Sequence, residues 1–247
     1  MSDKTYILSW GGGVNSTAIL AMIKLGMLPE LTKDNTHIVF ADTGAEMPYT
    51  YEHTNICLSP MARDGWKVKV LRPNVNLHYF KDKTLEQVCL EKGWIPSARS
   101  RWCSQHFKTD PIKNYVKSLY ANYVLILGIA IDEKHRARDF SGKTLYPLID
   151  QNIDRQGCID LIKKADLPEA RKSGCYMCPL QRKAQWIDLY LNYKDYFNKA
   201  VKIEQANSKG YTYFDGYNLT DKIKKWLKNE CEQKDMFEEN RHCLCEL

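Results

Sequence analysis

The sequence predicts an α/β protein: a doubly wound, mostly parallel sheet of five strands with a helical appendage at its C-terminal end. Two observations predict this fold class. Short apolar, β-prone segments alternate with longer helical segments over the first 150 residues, which is the pattern of successive βαβ units. The first strand also runs into three consecutive glycines that open a helix. We expect residues 1–150 to form the α/β domain and residues 151–247 to form a cysteine-bearing helical region packed on it.

Each element is predicted from its own residues. Strands are expected at 5–8, 37–41, 66–71, 123–128 and, at the sheet edge, 146–149; helices are expected at 18–25, 49–62, 84–92, 107–120, 156–164 and over much of 180–231. The segment 66–71 alternates apolar and charged residues, as a half-buried strand does. The segment 123–128 is the most apolar, so we expect it to be central and buried on both faces.

Composition is that of a globular protein and excludes a membrane-spanning one. The chain has 247 residues, of which 44% are hydrophobic, and this is enough for a full core. No apolar run approaches the ~18 residues of a membrane span, and the N-terminus lacks the pattern of a signal peptide. Nine cysteines without such a signal predict a cytoplasmic location and metal or redox use. The net charge of +6 permits a nucleic-acid partner without requiring one.

The segment 9–17 carries the clearest chemical signal. Its three glycines let the backbone turn sharply and leave N–H groups uncovered. The helix that follows adds unpaired N–H groups and the positive end of its dipole, and Ser16 and Thr17 add hydroxyl donors. Together these groups predict a site for a phosphate or a pyrophosphate. The segment lacks the lysine of a Walker loop and the last glycine of a dinucleotide motif. A glycine turn that binds no ligand is the alternative.

Polar residues also follow two later strands. Asp42, Thr43 and Glu46 follow the second strand, and Gly128 leaves the most apolar strand and begins a charged loop that contains Arg136. In open parallel sheets, ligands bind outside the carboxyl ends of the strands. We therefore expect Asp42, Thr43 and Gly128 to lie near the ligand of the glycine loop.

Cys175 and Cys178 form a CxxC pair in a tight loop, a spacing that lets two thiolates hold one metal ion or cluster. A redox pair is the alternative, although such pairs belong to a different strand pattern. Further ligands must come from elsewhere in the chain. Cys103, beside basic residues that favour its thiolate, is the best candidate, and Cys243 and Cys245 are next. Three other cysteines lie in apolar helical patterns and are interpreted as core residues: Cys57, Cys89 and Cys158.

Four segments, in order, resemble the phosphoadenosine phosphosulfate (PAPS) reductase family of the pyrophosphate-loop (PP-loop) ATP pyrophosphatase superfamily, in its phage and bacterial branch. They are the glycine loop, the segment 40–46, the segment 101–111 and the segment 173–179. The resemblance covers about residues 5–190 and implies the adenine nucleotide α-hydrolase-like (HUP) type of α/β fold. Two loop positions depart from the pattern, because Gly11 replaces a serine and Asn15 replaces an aspartate.

The resemblance also implies roles for single residues. The implied nucleotide-binding residues are Ser9, Gly11, Gly12, Gly13, Asn15, Ser16, Thr17, Asp42, Thr43 and Gly128. ATP and Mg²⁺ are the implied cofactors, and Arg136 or Lys108 would stabilise charge on a leaving pyrophosphate.

A metal centre is implied as well. Cys103, Cys175 and Cys178 match three of the four cysteines that hold an iron–sulfur cluster in adenylylsulfate reductases, and Trp102 stands in the fourth position. The implied group is a 4Fe-4S cluster or Zn²⁺, since thiolates bind both.

Three functions are open at this stage, of which we favour the first. The first is an enzyme that cleaves ATP to AMP and pyrophosphate and adenylates an acceptor for sulfur or amine transfer. The second is a PAPS or adenylylsulfate reductase that releases sulfite through Cys243 or Cys245. The third is a nucleotide-binding accessory protein with structural zinc and no turnover. The expected partner is an adenine nucleotide; tRNA, DNA and a small metabolite are open as acceptors, and a homodimer is also open.

Overall fold

The computed structural model describes residues 4–72, 80, 82–119, 122–138 and 143–235. The strands are β1 (Thr5–Ser9), β2 (Thr36–Ala41), β3 (Lys67–Leu71), β4 (Tyr123–Leu127) and β5 (Thr144–Leu145). The α-helices are α1 (Val14–Lys24), α2 (Pro48–Arg63), α3 (Leu85–Lys92), α4 (Trp102–Ser104), α5 (Asp110–Leu119), α6 (Pro147–Asp150), α7 (Arg155–Lys164), α8 (Lys183–Asn192), α9 (Lys194–Gln205) and α10 (Leu219–Asp235). A π-helical segment, Gln105–Thr109, joins α4 to α5, and a 3-10 helix, Ile131–Arg136, follows β4. Among the described residues, no helix is both long enough and apolar enough to cross a bilayer.

The five strands form one sheet in the order β3-β2-β1-β4-β5. Every neighbouring pair is parallel, and Ile7 of β1 lies opposite His37 of β2 and Leu125 of β4. This confirms the predicted fold class, and β1 to β4 begin and end within one residue of the expected bounds. The strand order reverses between β1 and β4. In an open α/β sheet such a reversal leaves a crevice at the carboxyl ends of the two strands.

The larger core lies on one face of the sheet. Successive side chains of a strand point to opposite faces, so Leu8 and Ile38 point to this face while Ile7 and Val39 point to the other. Helices α1, α2, α6 and α7 contribute to the larger core. Their apolar side chains recur three or four residues apart, which gives each helix a buried face. The opposite face of the sheet is covered by α5.

The most apolar strand is not buried on both faces, so that prediction is wrong. In β4 only Ile126, which points to the larger core, is fully buried. On the other face, α5 packs Val116 against β1 and β2 and leaves Leu125 and Leu127 beside a cavity. Strand β2, by contrast, is buried at all six residues. The difference arises because α5 packs Val116 against Ile7 and Val39, whereas Leu125 of β4 packs only partly against this cluster and Leu127 lines the cavity.

Two other segments differ from the prediction. The segment 146–149, expected as an edge strand, leads into α6, and the edge strand is the short β5 before it. Pro147 lies in the first turn of α6. Proline has no N–H to donate to a sheet, and its fixed φ suits the first helical turn. The helix expected at 107–120 begins earlier, at Trp102, and passes through the π-helical segment.

The chain divides into two compact units. The first comprises the residues up to Thr84 together with Ser104–Cys175, and it contains the whole sheet. The second comprises Leu85–Cys103 and the residues from Tyr176 onward. The division thus differs from the expected boundary between residues 150 and 151. One physical reason is that α7 packs on α1 in the larger core and so belongs with the sheet.

Aromatic side chains and one buried carboxylate hold the second unit together. Trp186 of α8 is fully buried, and its ring lies 5.2 Å from that of Tyr213 and 5.9 Å from that of Phe214. Glu204 of α9 accepts the N–H groups of Tyr213 and Leu219 at 3.0 Å and 2.7 Å. A buried carboxylate needs such donors, so Glu204 fixes the chain between α9 and α10.

Replacing Ile162 by alanine should lower the free energy of unfolding by about 2–5 kcal/mol, because it leaves a cavity in the core between α1 and α7. The matched control is Ile56→Ala on α2. Ile162 is 3% exposed and Ile56 is 47% exposed, so the control should cost less than about 1 kcal/mol. Urea unfolding followed by circular dichroism measures both variants. Equal losses would contradict the packing of α7 on the sheet.

Candidate functional site

The glycine turn after β1 has the backbone of an anion-binding loop. Gly12 has φ = +72°, a left-handed conformation that glycine adopts without strain. Gly13 is the extended residue before α1, and no side chain of the described residues caps that helix. Within this part of the chain the first N–H groups of α1 therefore have no side-chain partner. A Cβ on Gly11 would meet no atom within 4 Å. The loop thus combines free N–H groups and the positive end of a helix dipole with an open side, an arrangement that binds anions.

The two hydroxyl groups of the loop are engaged within the protein. Ser16 Oγ donates to the carbonyl oxygen of Gly13 at 3.0 Å and accepts the N–H of Gly11 at 3.2 Å. Thr17 is fully buried, and its Oγ1 lies 3.1 Å from His53 Nε2. Burial lowers the pKa of His53, which favours its neutral ring. The expected hydroxyl donors therefore shape the loop: Ser16 takes up the N–H of Gly11, and the first N–H groups of α1 remain for a ligand.

Gly128, the first residue after β4, lies against the first turn of α1. A Cβ at this position would stand 2.8 Å from the nitrogen of Ser16 and 2.9 Å from the carbonyl carbon of Asn15. Both distances are shorter than a Cβ contact can be, so any side chain would displace one of the two backbones. The structure places Gly128 at the glycine loop through this close approach across the strand reversal.

Asn15 links the loop to two other elements. Its Nδ2 donates to Glu133 Oε2 at 2.9 Å, and Arg155 at the start of α7 donates to its Oδ1 at 3.2 Å. An aspartate could not donate to Glu133, which explains the amide at this position. Arg136 Nη1 lies 2.6 Å from Glu133 Oε1, and the Arg136 side chain is 54% exposed. Exposed ion pairs contribute only about 0–1 kcal/mol to stability. The guanidinium of Arg136 could therefore leave Glu133 and pair with a phosphate.

Asp42 holds the turn that follows β2. Its Oδ1 accepts the N–H of Gly44 and the hydroxyl of Tyr51, both at 2.8 Å. Burial, and after it the bond to Asp42, raise the pKa of Tyr51 above its ordinary value, so the phenol stays a donor. Gly44 has φ = +69°, and a Cβ there would stand 2.4 Å from Thr84 Cγ2. The turn therefore requires glycine at this position, and it fixes the residues that follow.

Glu46 is the centre of a buried polar cluster in the first unit. The residue is fully buried. Its Oε1 lies 2.8 Å from Lys108 Nζ, 3.0 Å from Thr43 Oγ1 and 3.6 Å from Cys175 Sγ. A buried carboxylate is stable only when paired and hydrogen-bonded, and these neighbours supply that pairing. The sequence motif contains Glu46, but nothing local in it indicates this role.

The segment 173–175 borders both turns. Cys175 forms an isolated antiparallel bridge with Glu46. On the other side, Ser173 Oγ lies 3.0 Å from where a Cβ of Gly13 would stand. The structure thus brings Cys175, Lys108 and the glycine loop into one site within the first unit. Sequence reasoning missed four residues of this site, because their contacts join distant segments: Glu46, Tyr51, Arg155 and Ser173.

Ser9 is separated from the rest of the loop residues. It is the last residue of β1 and shares a strand face with Ile7, which packs against the α5 side of the sheet. There it lines a cavity of about 250 Å³ together with residues of α5, β4 and β5. The predicted nucleotide-binding set is therefore split between the glycine loop and this cavity.

The predicted metal ligands fall in two units. Cys175 ends one segment of the first unit, while Cys103 and Cys178 belong to the second. Within the second unit, burial first, and then charged or ionisable groups that include Cys178 and Cys103, raise the pKa of Tyr213. Among the described residues, no three His, Cys, Asp or Glu side chains are arranged to hold a metal ion. The predicted metal centre therefore stays a prediction.

The sequence also carries predictions for five other cysteines, three as core residues and two as further functional thiols. Cys57, Cys89 and Cys158 are buried, which confirms their interpretation as core residues. Burial raises the pKa of Cys57 and of Cys158 to about 12, so these thiols are unreactive. Cys243 and Cys245 lie outside the described residues, and their predicted roles stay predictions.

Comparisons with known proteins give a distant relationship. No family model matches the chain. An uncharacterised protein of Methanocaldococcus jannaschii is 25% identical over an alignment of 223 residues, and the match covers 81% of this chain and 48% of that protein. The chain therefore spans about half the length of this curated relative. The U34-tRNA thiolase NcsA of Methanococcus maripaludis, solved with its 4Fe-4S cluster, aligns over 97% of this chain and 74% of its own, with a TM-score of 0.47 and 12% identity. A likeness at that level bears on neither the ligands nor the reaction of this chain.

Replacing Gly128 by alanine should lower the free energy of unfolding by about 1–3 kcal/mol, because the new methyl group forces α1 away from β4. The matched control is Gly174→Ala, whose Cβ would meet no atom within 4 Å and which should cost less than about 0.5 kcal/mol. Thermal unfolding followed by circular dichroism compares them. A Gly128→Ala protein as stable as the control would show that the two backbones are not in contact.

Proposed function

We propose that the protein is a PP-loop ATP pyrophosphatase-type enzyme. It binds ATP at the glycine loop, cleaves it to AMP and pyrophosphate, and adenylates an acceptor for sulfur or amine transfer. The observation that carries the proposal is the convergence of four chain segments near the carboxyl ends of β1 and β2. An anion loop, a buried Glu46–Lys108 pair and a thiol, Cys175, meet there within one unit.

The site offers the groups that cleavage between the α- and β-phosphates requires. ATP would arrive as its Mg²⁺ complex, and the ion would neutralise part of the phosphate charge. An acceptor oxygen attacks the α-phosphorus, and the bond to the pyrophosphate breaks. Negative charge then grows on the pyrophosphate, where loop N–H groups and a cation stabilise it. The glycine loop supplies the N–H groups. The two predicted cations, Arg136 and Lys108, differ in how strongly they are paired with a carboxylate.

Arg136 is the better candidate to contact the pyrophosphate. Its partner Glu133 is partly exposed, so the ion pair is weak and can be exchanged for a phosphate. Lys108 is bound to the fully buried Glu46. Separating that pair would leave a buried carboxylate without its cation, which is costly. We therefore assign Lys108 a fixed position beside Cys175 and assign Arg136 the mobile role.

The two other functions have less support among the described residues. The reductase alternative depends on Cys243 or Cys245, which lie outside the described residues. The accessory-protein alternative predicts nucleotide binding without turnover, and the assay below separates it from an enzyme. The altered loop does not favour it, because Asn15 has a hydrogen-bonding role of its own.

ATP binding tests the site directly. Gly13→Val should abolish ATP binding, because the new side chain meets Ser173 and covers loop N–H groups. Arg136→Ala should weaken binding about tenfold through loss of one charge-assisted contact. Lys134→Ala, an exposed residue of the same 3-10 helix, is the matched control and should bind within about twofold of wild type. Isothermal titration calorimetry measures all three variants.

The products decide among the proposed functions. Incubation of the enzyme with ATP, Mg²⁺ and a competent acceptor should give AMP and pyrophosphate, which ion-exchange chromatography separates from ADP and phosphate. Formation of ADP and phosphate would contradict the proposal. Sulfite release from a sulfonucleotide with a thiol reductant would favour the reductase. Unchanged ATP affinity in Gly13→Val would remove the glycine loop from the binding site.

The metal prediction has a separate test. If Cys103, Cys175 and Cys178 hold a metal or cluster, anaerobically purified protein contains iron or zinc, and Cys103→Ser lowers that content to background. Cys158→Ser, at a core position away from the predicted ligands, is the control and should retain the metal. Elemental analysis and absorption spectra measure the content. Equal metal content in Cys103→Ser and wild type would exclude Cys103 as a ligand.

A further inference from the structure

A cavity of about 250 Å³ lies on the α5 face of the sheet in the first unit. Its apolar wall comes from Val116 of α5 and from Leu125 and Leu127 of β4. The volume equals about eight water molecules at ~30 Å³ each, which is the size of one small organic molecule. Because the larger core and the glycine loop do not fill this space, the cavity has no role in the fold described above.

The charged side chains among the described residues of the cavity all have one sign. Lys108, Lys113 and Lys143 line it, and no carboxylate of the described part of the chain does. Lys108 is bound to Glu46, and Lys143 Nζ lies 5.5 Å from the centre of the Tyr123 ring. Among the described residues, neither Lys113 nor Lys143 has an ion-pair partner. Because Glu46 neutralises Lys108, the two other lysines beside the apolar wall, Lys113 and Lys143, suit a ligand with an apolar body and one negative charge.

The wall also contains an unsatisfied hydroxyl. Thr144 of β5 lines the cavity, and its Oγ1 is buried without a hydrogen-bond partner among the described residues. Buried polar atoms in native proteins nearly always have a partner. A ligand oxygen in the cavity would accept a hydrogen bond from this hydroxyl, as it would from the lysine ammonium groups.

The position of the cavity connects it to the proposed reaction. It reaches Ser9, the last residue of β1, and Leu127, the last residue of β4. The strand order reverses between these two strands, and the glycine loop begins directly after Ser9. Ligands of open α/β sheets bind at such a reversal. A molecule in the cavity would therefore have one end close to the phosphates of a nucleotide on the loop.

We propose that this cavity is the acceptor site and that the acceptor is a small apolar carboxylate. The inference rests on the proposed function and names its substrate class. A carboxylate oxygen attacks the α-phosphorus of ATP, a P–O bond forms, and the bond to pyrophosphate breaks with its electron pair on the leaving group. The acyl adenylate is then open to attack by an amine or a sulfide, which displaces AMP.

The binding test uses phenylacetate and 4-methylpentanoate without ATP, so it does not depend on nucleotide chemistry. Both should bind in calorimetry and in saturation-transfer NMR, and neutral phenylacetamide should bind at least about tenfold more weakly, because it has no charge for the lysines. The double variant Lys113→Ala/Lys143→Ala should weaken phenylacetate binding about tenfold. Lys117→Ala, one turn further along α5 and not part of the cavity, should leave binding within about twofold.

Each contrary result overturns the inference. Absence of binding by both carboxylates, equal binding of phenylacetamide, or equal weakening in Lys117→Ala would each show that the cavity is not a carboxylate site. Exchange of labelled pyrophosphate into ATP that requires RNA or DNA, and that no carboxylate supports, would exclude a carboxylate acceptor. Failure of the proposed function would give a different result from failure of this inference. The wild-type protein would then not bind ATP but would still bind the carboxylates.

Discussion

The reversal of strand order between β1 and β4 is the constraint on which the site depends. The face that carries α1 and α7 is closed by a large core, whereas on the other face α5 buries Ile7 of β1 and Val39 of β2 and leaves Leu125 and Leu127 of β4 beside a cavity. The carboxyl ends of β1 and β4 therefore open to both faces at one point. At this point the glycine loop and α1 lie on the face of the larger core, and the cavity lies on the α5 face. Gly128 permits the close approach of β4 to α1 that fixes the geometry.

A buried carboxylate fixes the chemistry around that opening. Glu46 is fully buried, and its Oε1 contacts a lysine, a threonine and a cysteine that lie far apart in the sequence. Removing any one of these neighbours takes a cation or a hydrogen-bond donor from the Glu46 carboxylate. An uncompensated buried charge is strongly destabilising. This cost keeps Lys108 and Cys175 side by side. It also leaves Arg136, which is exposed and weakly paired, as the cation that can follow a substrate.

The departures of the loop from the PP-loop pattern have physical explanations of different kinds. Asn15 donates to Glu133 and accepts from Arg155, so its amide links a carboxylate and a guanidinium as an aspartate could not. Gly11 has open space where a Cβ would stand, so the backbone does not demand glycine there. The open side increases access to the loop N–H groups. Neither departure removes the helix start or the glycine turn, which are the parts that bind an anion.

The sequence by itself determined strands β1 to β4, the helix that follows the glycine turn, the parallel sheet and the burial of Cys57, Cys89 and Cys158, because these depend on local apolar patterns and backbone preferences. Only the tertiary structure decided which apolar strand is fully buried, since the burial of β4 depends on how far α5 packs over it. It also decided that Ser16 and Thr17 bond within the protein and that Glu46, Arg155 and Ser173 border the site. Those contacts join segments up to about 140 positions apart, and no local pattern encodes a pairing over that distance.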